Sequence, residues 1–463
     1  MARLFSTSGL NMLEGKVFPK VWSFVLPLMI TNLLQAFYNA ADMIVVSLSN
    51  VEGAVGSIGT TAAMINLILN IFIGFSIGAN VIVAKHIGSE DMEKTEKAVH
   101  TSIVVSLIFG IICMAIGLLI SRPVLEAMGD EGHVLNLATT YTVWYFMGVP
   151  FMAVANDLIA IFRAKGDTRT PLFVLTGTGL LNIGLNLFFV LVCKMSVEGV
   201  AIATSASNAV SAFVLLFLLS KDPGWCHFDY SKAKIDRQTF LDMLYVSIPA
   251  SVQGALFSLS NMLIQSSIIS VNNTLCPGGS AVIDGNSAAS SLESFAYTAQ
   301  NSVYTAAVTF VSQHHGARSY KRIKKVMASC YLSTAMIAIA CGAILLFFRD
   351  PLIHLYISDP LAIESAYTRM FIMLTPYITC AFMETSCGFV RGLGKSLTST
   401  IISLFGSCVF RIIWIYTVFR ANPTLNSIYY SYPISWTITA LVLFICGCIV
   451  RRKYMKKYPE GGM

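Results

Sequence analysis

The amino-acid sequence predicts an all-α membrane protein of twelve transmembrane helices arranged as two parallel six-helix repeats. Three observations carry that expectation. Of 463 residues, 55% are hydrophobic and only 12% charged. A soluble domain averages roughly 25% charged residues, so this chain cannot cover a water-exposed surface of its size. The apolar residues fall in long continuous runs that do not alternate as strands would, and each run can cross about 30 Å of hydrocarbon as a helix. Finally, the chain repeats itself. A shift of 228 residues carries Arg163 onto Arg391, Gly166 onto Gly394, Gly88 onto Gly316 and Pro123 onto Pro351. A duplicated, nearly all-membrane chain of this size is most often a secondary transporter.

The twelve expected spans are 21–48, 55–83, 99–120, 138–161, 170–192, 199–219, 240–269, 281–310, 326–348, 367–390, 397–419 and 427–449. Residues 1–20 are polar and mixed, and the first run is too long for a signal-peptide core. It is therefore expected to stay as span 1, with no cleaved signal. Twelve spans put both termini on one side, and the cations say which. With the N-terminus inside, 25 Lys and Arg fall in inner segments and 5 outside (Arg122, Lys194, Arg349, Arg369 and Arg420), while Arg411 lies within span 11. This bias places both termini in the cytoplasm. The net charge of +7 is thus a topology signal. Cations spread over six loops and a tail do not suggest nucleic-acid binding.

Taken in order, span 1 carries Pro27 and then Asn32, Gln35, Asn39 and Asp42, spaced 3, 4 and 3, on one helical face. Span 2 shows Asn66, Asn70 and Asn80 and runs into Gly88. Span 4 has Tyr141 nine residues before Pro150, a pattern repeated by Tyr367 and Pro376 in span 10, and each pair precedes an Arg/Gly loop. Those prolines admit two readings, a hinge or a kink that serves packing. Span 5 shows Thr178, Asn182 and Asn186 at successive i+4 steps, and span 6 shows Thr204, Asn208 and Ser211. The polar segment 221–239 separates an N-lobe, 1–225, from a C-lobe, 226–463. In the second half, span 7 offers Gln253, Asn261 and Gln265. Span 8 offers Glu293, Tyr297, Gln300 and Tyr304, and span 10 offers Tyr377 and Glu384.

Hydroxyls and single amides in spans usually hold helices together. Carboxylates are different, because an Asp at mid-membrane costs on the order of 2.5–3.5 kcal/mol on insertion scales. The intramembrane acids are Asp42, Asp157, Glu293 and Glu384, and the one cation is Arg411. Asp157 either pairs with Arg163 or takes part in transport. Arg411 is either a counter-ion to Glu384 or part of a purely structural pair. Buried acids that can take up and release a small cation suit ion-coupled transport.

Other chemistry lacks its residues. Gly394-Lys395-Ser396 resembles the tail of a phosphate loop, but position 389 is Phe rather than Gly. All seven His lie in loops or at helix ends, no His-Glu-x-x-His occurs, and the eleven Cys show no metal or redox spacing. No regular Arg array suggests a voltage sensor. An enzyme is therefore not expected.

The motifs Pro27…Asn32…Asp42, Gly78-Ala79…Gly88, Arg163-Ala164-Lys165-Gly166-Asp167-Thr168, Gln313…Gly316-Ala317 and Arg391-Gly392-Leu393-Gly394 occur in order at helix ends. Across the whole chain this resembles the multidrug and toxic compound extrusion family, in its prokaryotic branch named after a DNA-damage-inducible protein. The resemblance implies V-shaped lobes around a central cavity. It also implies an antiporter in the cell membrane that expels amphipathic or cationic compounds in exchange for H⁺ or Na⁺. No other cofactor, no nucleic acid and no obligatory protein partner are implied, and the fused repeat suits a monomer. By similarity the cation-coupling cluster is Asp42, Tyr141, Asn182, Asn186 and Thr204. Pro27, Asn32, Gln35 and Asn39 would serve as cavity and hinge residues. Many relatives carry a second Asp where this chain has Asn186, so Asp42 alone would carry charge there. Glu293, Tyr297, Gln300, Glu384 and Arg411 form a possible C-lobe site. The alternatives are a dedicated metabolite or lipid-precursor exporter of the same superfamily, and a channel.

Overall fold

The computed structural model describes residues 10–47, 51, 54–127 and 132–459. The first and last residues, with Arg3 of the inner-cation count, lie outside the described residues. The helices of the first half are α1 (Val17–Ser47), α2 (Ala54–Gly88), α3 (Met92–Ala127), α4 (Gly132–Ala164), α5 (Arg169–Leu187) and α6 (Val197–Ser220). They are followed by α7 (Arg237–Leu275), α8 (Ala281–Gly316), α9 (Tyr320–Phe347), α10 (Arg349–His354), α11 (Pro360–Leu374), α12 (Tyr377–Gly392), α13 (Ser396–Ser403), α14 (Phe410–Trp414) and α15 (Leu425–Lys457). No strand occurs among the described residues.

Among the described residues, ten helical segments are long and apolar enough to cross a membrane, and α11 with α12, bent by 50°, make an eleventh. The twelfth expected span is α8. Its 36 residues reach about 54 Å at 1.5 Å per residue. It is less apolar than the others because it carries Asp284, Asn286, Glu293, Gln300 and Asn301. The segment Ser396–Phe419 stays continuous as one span through two wide π-turns, Leu404–Val409 and Ile415–Phe419. On α3, Ile108, Ile111, Ile112 and Leu119 stand 45–78% exposed. Apolar side chains in that density belong against hydrocarbon.

Two prolines expected to behave alike do not. Pro150 stays inside α4, whereas Pro376 separates α11 from α12. Thr375 N–H closes α11 on Phe371 O at 3.3 Å, and Thr379 N–H opens α12 on Pro376 O at 2.9 Å. Proline has no N–H to carry the ladder across.

The helices form two compact units. Unit 1 comprises residues 1–11 and 30–251, and unit 2 comprises residues 12–29 and 252–463. The divisions fall inside α1, just after Pro27, and inside α7, just after Pro249. The polar segment 221–239 lies within unit 1 rather than at its edge. It is fastened there. Lys165 Nζ reaches Asp222 Oδ2 at 2.9 Å in a buried pair, and Asp236 N–H donates to Thr101 Oγ1 at 3.0 Å. His100 Nε2 accepts from Asp229 N–H at 3.0 Å.

The internal repeat survives in backbone detail. Gly166 and Gly394 both take positive φ, +89° and +74°. Each closes the same turn, by Gly166 N–H to Arg163 O at 2.9 Å and Gly394 N–H to Arg391 O at 2.8 Å. Glu90 and Arg318, also 228 apart, both have positive φ, 56° and 54°. A Cβ on Gly166 would also lie 2.7 Å from Leu10 O, so position and conformation both demand glycine there.

Candidate functional site

The unit 1 site begins with a close approach of α1 and α5. A Cβ on Gly179 would lie 2.0 Å from the Tyr38 ring, so only glycine lets that ring sit flat on α5. Tyr38 OH donates to Thr176 O at 3.4 Å. One turn further along α1 comes Asp42, and two turns further along α5 comes Asn186. Asn186 is fully buried, and its Nδ2 donates to Asp42 Oδ1 at 2.5 Å. The same Nδ2 lies 3.3 Å from Asn182 Oδ1. Asn182 Nδ2 in turn donates to Thr204 Oγ1 on α6 at 3.4 Å, and the Thr204 side chain also hydrogen-bonds Asp42. A second link, Ser211 Oγ to Thr178 Oγ1 at 2.7 Å, joins α6 to α5 on the same polar face.

Four of the five residues expected to bind the coupling cation are thus one hydrogen-bonded chain. The fifth, Tyr141, is buried with Val45, Val46 and Val190 and packs against Tyr145 with ring centroids 6.0 Å apart. The donors that meet Asp42 are neutral. Asn186 Oδ1 is buried without a hydrogen-bond partner among the described residues. The cluster therefore holds one carboxylate together with spare oxygen acceptors. On the rest of the α1 stripe, Asn32 is half-buried, and Gln35 and Asn39 are exposed.

In unit 2 the expected site residues take different hydrogen-bond partners. Glu293 is held by Arg369 through two hydrogen bonds, Nε to Oε1 at 3.0 Å and Nη2 to Oε2 at 2.7 Å. Arg369 Nη1 continues to Asn286 Oδ1 at 2.6 Å, which also accepts from Tyr429 OH at 3.2 Å. This is a saturated structural pair. The charge count puts Arg369 with the outer cations although it lies two residues inside the expected span 367–390. The helix begins at Pro360, which brings Arg369 inside.

Arg411 is not the counter-ion of Glu384. It is buried, donates to Ser435 Oγ at 3.1 Å and lies 4.1 Å from the Tyr432 ring centroid. Glu384 is half-buried on α12 and shares its surroundings with Tyr297, Tyr304 and Arg391. Arg391 donates to Tyr304 OH at 2.5 Å and to Gln253 Oε1 at 2.7 Å. Gln300, 1% exposed, has neither side-chain atom hydrogen-bonded among the described residues. In unit 1, Asp157 takes a hydrogen bond from Ser102 and forms no ion pair with Arg163 among the described residues. Neither Arg369 nor Ser102 was singled out as a partner from the sequence. An i+4 spacing reports which residues share a face, not which facing helix answers them.

A family model, MatE, matches residues 27–188 and 249–417. The chain belongs to the MatE family. This is a family of transporters, so the protein is a membrane transporter and not an enzyme. It is 24% identical over 403 residues to the probable multidrug resistance protein YoeA of Bacillus subtilis (strain 168), covering 85% of this chain and 86% of that protein. It is 21% identical over 445 residues to the multidrug export protein MepA of Staphylococcus haemolyticus (strain JCSC1435), covering 96% of each. A solved structure described as the outward-facing conformation of a multidrug resistance MATE family transporter of the MOP superfamily superposes with a TM-score of 0.89. It is 20% identical and covers 97% of this chain and 99% of its own. The expected all-helical, duplicated membrane fold is therefore the observed one.

Proposed function

We propose that this transporter is a multidrug or organic-cation exporter of the cell membrane, with both termini cytoplasmic, working as a monomeric antiporter driven by H⁺ or Na⁺. The names of YoeA and MepA support the cargo class. The observation that carries the coupling is Asp42, the single carboxylate of a chain otherwise made of amides and a hydroxyl. With no ion pair to a fixed cation among the described residues, Asp42 is free to hold a transported one.

Taking up H⁺ or Na⁺ changes which donors Asp42 accepts from. The link from α1 through Asn186 to α5 then changes with it. Pro27 lies fifteen residues before Asp42 on the same helix and breaks the backbone ladder there. A small shift at Asp42 is thereby converted into bending of α1, with Asn32, Gln35 and Asn39 carried along its polar face. Loading and bending together give alternating access, in which drug and coupling ion occupy the transporter in different conformations.

The test is ethidium efflux in membrane vesicles, with the pH and Na⁺ gradients imposed one at a time. Asp42→Asn keeps the shape and removes the titrating group, and it abolishes efflux under whichever gradient drives the parent. Undiminished efflux by Asp42→Asn removes Asp42 from the mechanism.

A further inference from the structure

The repeat aligns two loops whose charges are opposite. In unit 1, Glu90-Asp91-Met92-Glu93-Lys94-Thr95-Glu96-Lys97 follows α2, and in unit 2, Arg318-Ser319-Tyr320-Lys321-Arg322-Ile323-Lys324-Lys325 follows α8. In the unit 1 loop both cations are paired with acids, Lys94–Asp91 at 2.7 Å and Lys97–Glu93 at 2.6 Å, and Glu96 is taken by Lys232 of the 221–239 segment at 3.1 Å. The unit 2 loop has no acid. Arg318, Lys321, Lys324 and Lys325 are exposed, and none forms an ion pair among the described residues.

The end of α15 adds to the same patch. Arg451 Nη1 donates to Tyr320 O at 3.2 Å, and the Tyr454 ring stacks on Tyr320 at 5.5 Å. Those contacts bring the exposed Arg452, Lys453, Lys456 and Lys457 beside the α9 cations. Arg318 is itself held 4.7 Å from the centroid of the Tyr458 ring. At 33 residues α15 is about 50 Å long, so its basic end projects beyond about 30 Å of hydrocarbon into the headgroup layer. Stacked tyrosines are at home at that depth. Orientation alone does not explain eight uncompensated cations, since the unit 1 loop occupies the matching position with a net negative charge.

We infer that this tyrosine-braced basic patch on unit 2 is a binding site for the phosphate groups of anionic phospholipids. Clusters of Lys and Arg beside a membrane helix attract anionic lipid at about 1 kcal/mol, or ~fivefold in affinity, per cation. The tyrosine stack holds the α9 and α15 cations in register, and the unit 1 loop provides a built-in negative control.

Phosphatidylglycerol or phosphatidylcholine is titrated into the purified full-length protein in detergent, and binding is read by native mass spectrometry and by the thermal unfolding midpoint. Phosphatidylglycerol binds and raises the midpoint, and phosphatidylcholine does not. The exposed pair Lys324→Gln/Lys456→Gln weakens phosphatidylglycerol binding ~25-fold. Lys324→Arg/Lys456→Arg keeps it, and Lys94→Gln/Lys97→Gln leaves it unchanged. Equal response to both lipids, parental affinity in the glutamine pair, or the same midpoint rise with inorganic phosphate alone each overturns the assignment.

Discussion

Gly179→Ala tests whether the approach of α1 to α5 sets the proposed coupling site at Asp42. The new Cβ would stand 2.0, 2.3 and 2.5 Å from Tyr38 Cε2, Cζ and Cδ2. Carbon atoms settle at about 3.5–4.0 Å, so α1 must retreat by about 1.5 Å or the ring must swing off α5 and leave Thr176 O. A retreat of that size stretches the Asp42–Asn186 hydrogen bond from 2.5 Å to about 4 Å, past the range in which it exists. The overpacking costs about 1–3 kcal/mol. A lost hydrogen bond to a charged group costs about 1.5–3 kcal/mol. Some 2 kcal/mol of misplacement at the site corresponds to ~30-fold in a binding constant. The expected outcome is a lowered thermal midpoint together with a drop in ethidium efflux of at least tenfold. Adding Tyr38→Leu to Gly179→Ala restores room for the methyl group and recovers both in part. Parental efflux and midpoint in Gly179→Ala alone would show that this contact does not position Asp42.

Two further outcomes follow from groups away from Asp42. Arg369→Gln leaves the buried Glu293 carboxylate without its cation and costs about 3–5 kcal/mol, seen as lost expression and a lowered midpoint. Glu293→Gln/Arg369→Gln recovers much of that loss, because two amides can still bond to each other, and a double variant no better than the single refutes the pairing. At the start of α7, the Thr239 backbone N–H and then its hydroxyl hold the Asp236 carboxyl below the usual carboxylate range. A depressed folded value means that the cap contributes above the unfolded carboxyl's pKa of about 3.9 and is lost as pH falls through the lower folded value. Asp236→Ala is therefore less stable than the parent at pH 7. The difference shrinks below about pH 4, and a gap that is constant with pH refutes the cap.

The parts legible in the sequence are those that depend on period and on local backbone chemistry. The 3-4-3 spacing of Asn32, Gln35, Asn39 and Asp42 needed only helical geometry, and the 228-residue repeat led directly to the paired glycine turns at Gly166 and Gly394. The Asp42–Asn186–Asn182–Thr204 chain was anticipated from the resemblance, and the i+4 stripe on α5 agrees with it. What stayed hidden depends on depth and on facing helices. Arg369 lies two residues inside the expected span 367–390, where sequence alone does not separate a cation at the membrane edge from a buried partner; the helix starts seven residues earlier, at Pro360, and Arg369 meets Glu293. Arg411 and Glu384 lie on different helices, and opposite charge alone does not say whether they meet. The structure instead gives Arg411 a hydroxyl and the face of Tyr432.

The same repeat that makes the fold readable also conceals the division of labour between its halves. Sequence identity within the repeat sits at turns, where backbone conformation tolerates few residues. The helix faces differ in chemistry, with Asp42 and Asn186 in one half and Glu293 with Arg369 in the other. Unit 1 leaves its carboxylate Asp42 among neutral donors, so that carboxylate can change state at little structural cost. Unit 2 locks Glu293 in a bidentate pair, so changing its state would break a buried network linking α8, α11 and α15. A coupling group has to be stable in two states, and a group with one strong fixed partner is stable in only one. That contrast supports the proposed role of Asp42 over one for Glu293. The loops after α2 and α8 show the same asymmetry on the surface, with the cations of one paired to its acids and those of the other left unpaired among the described residues.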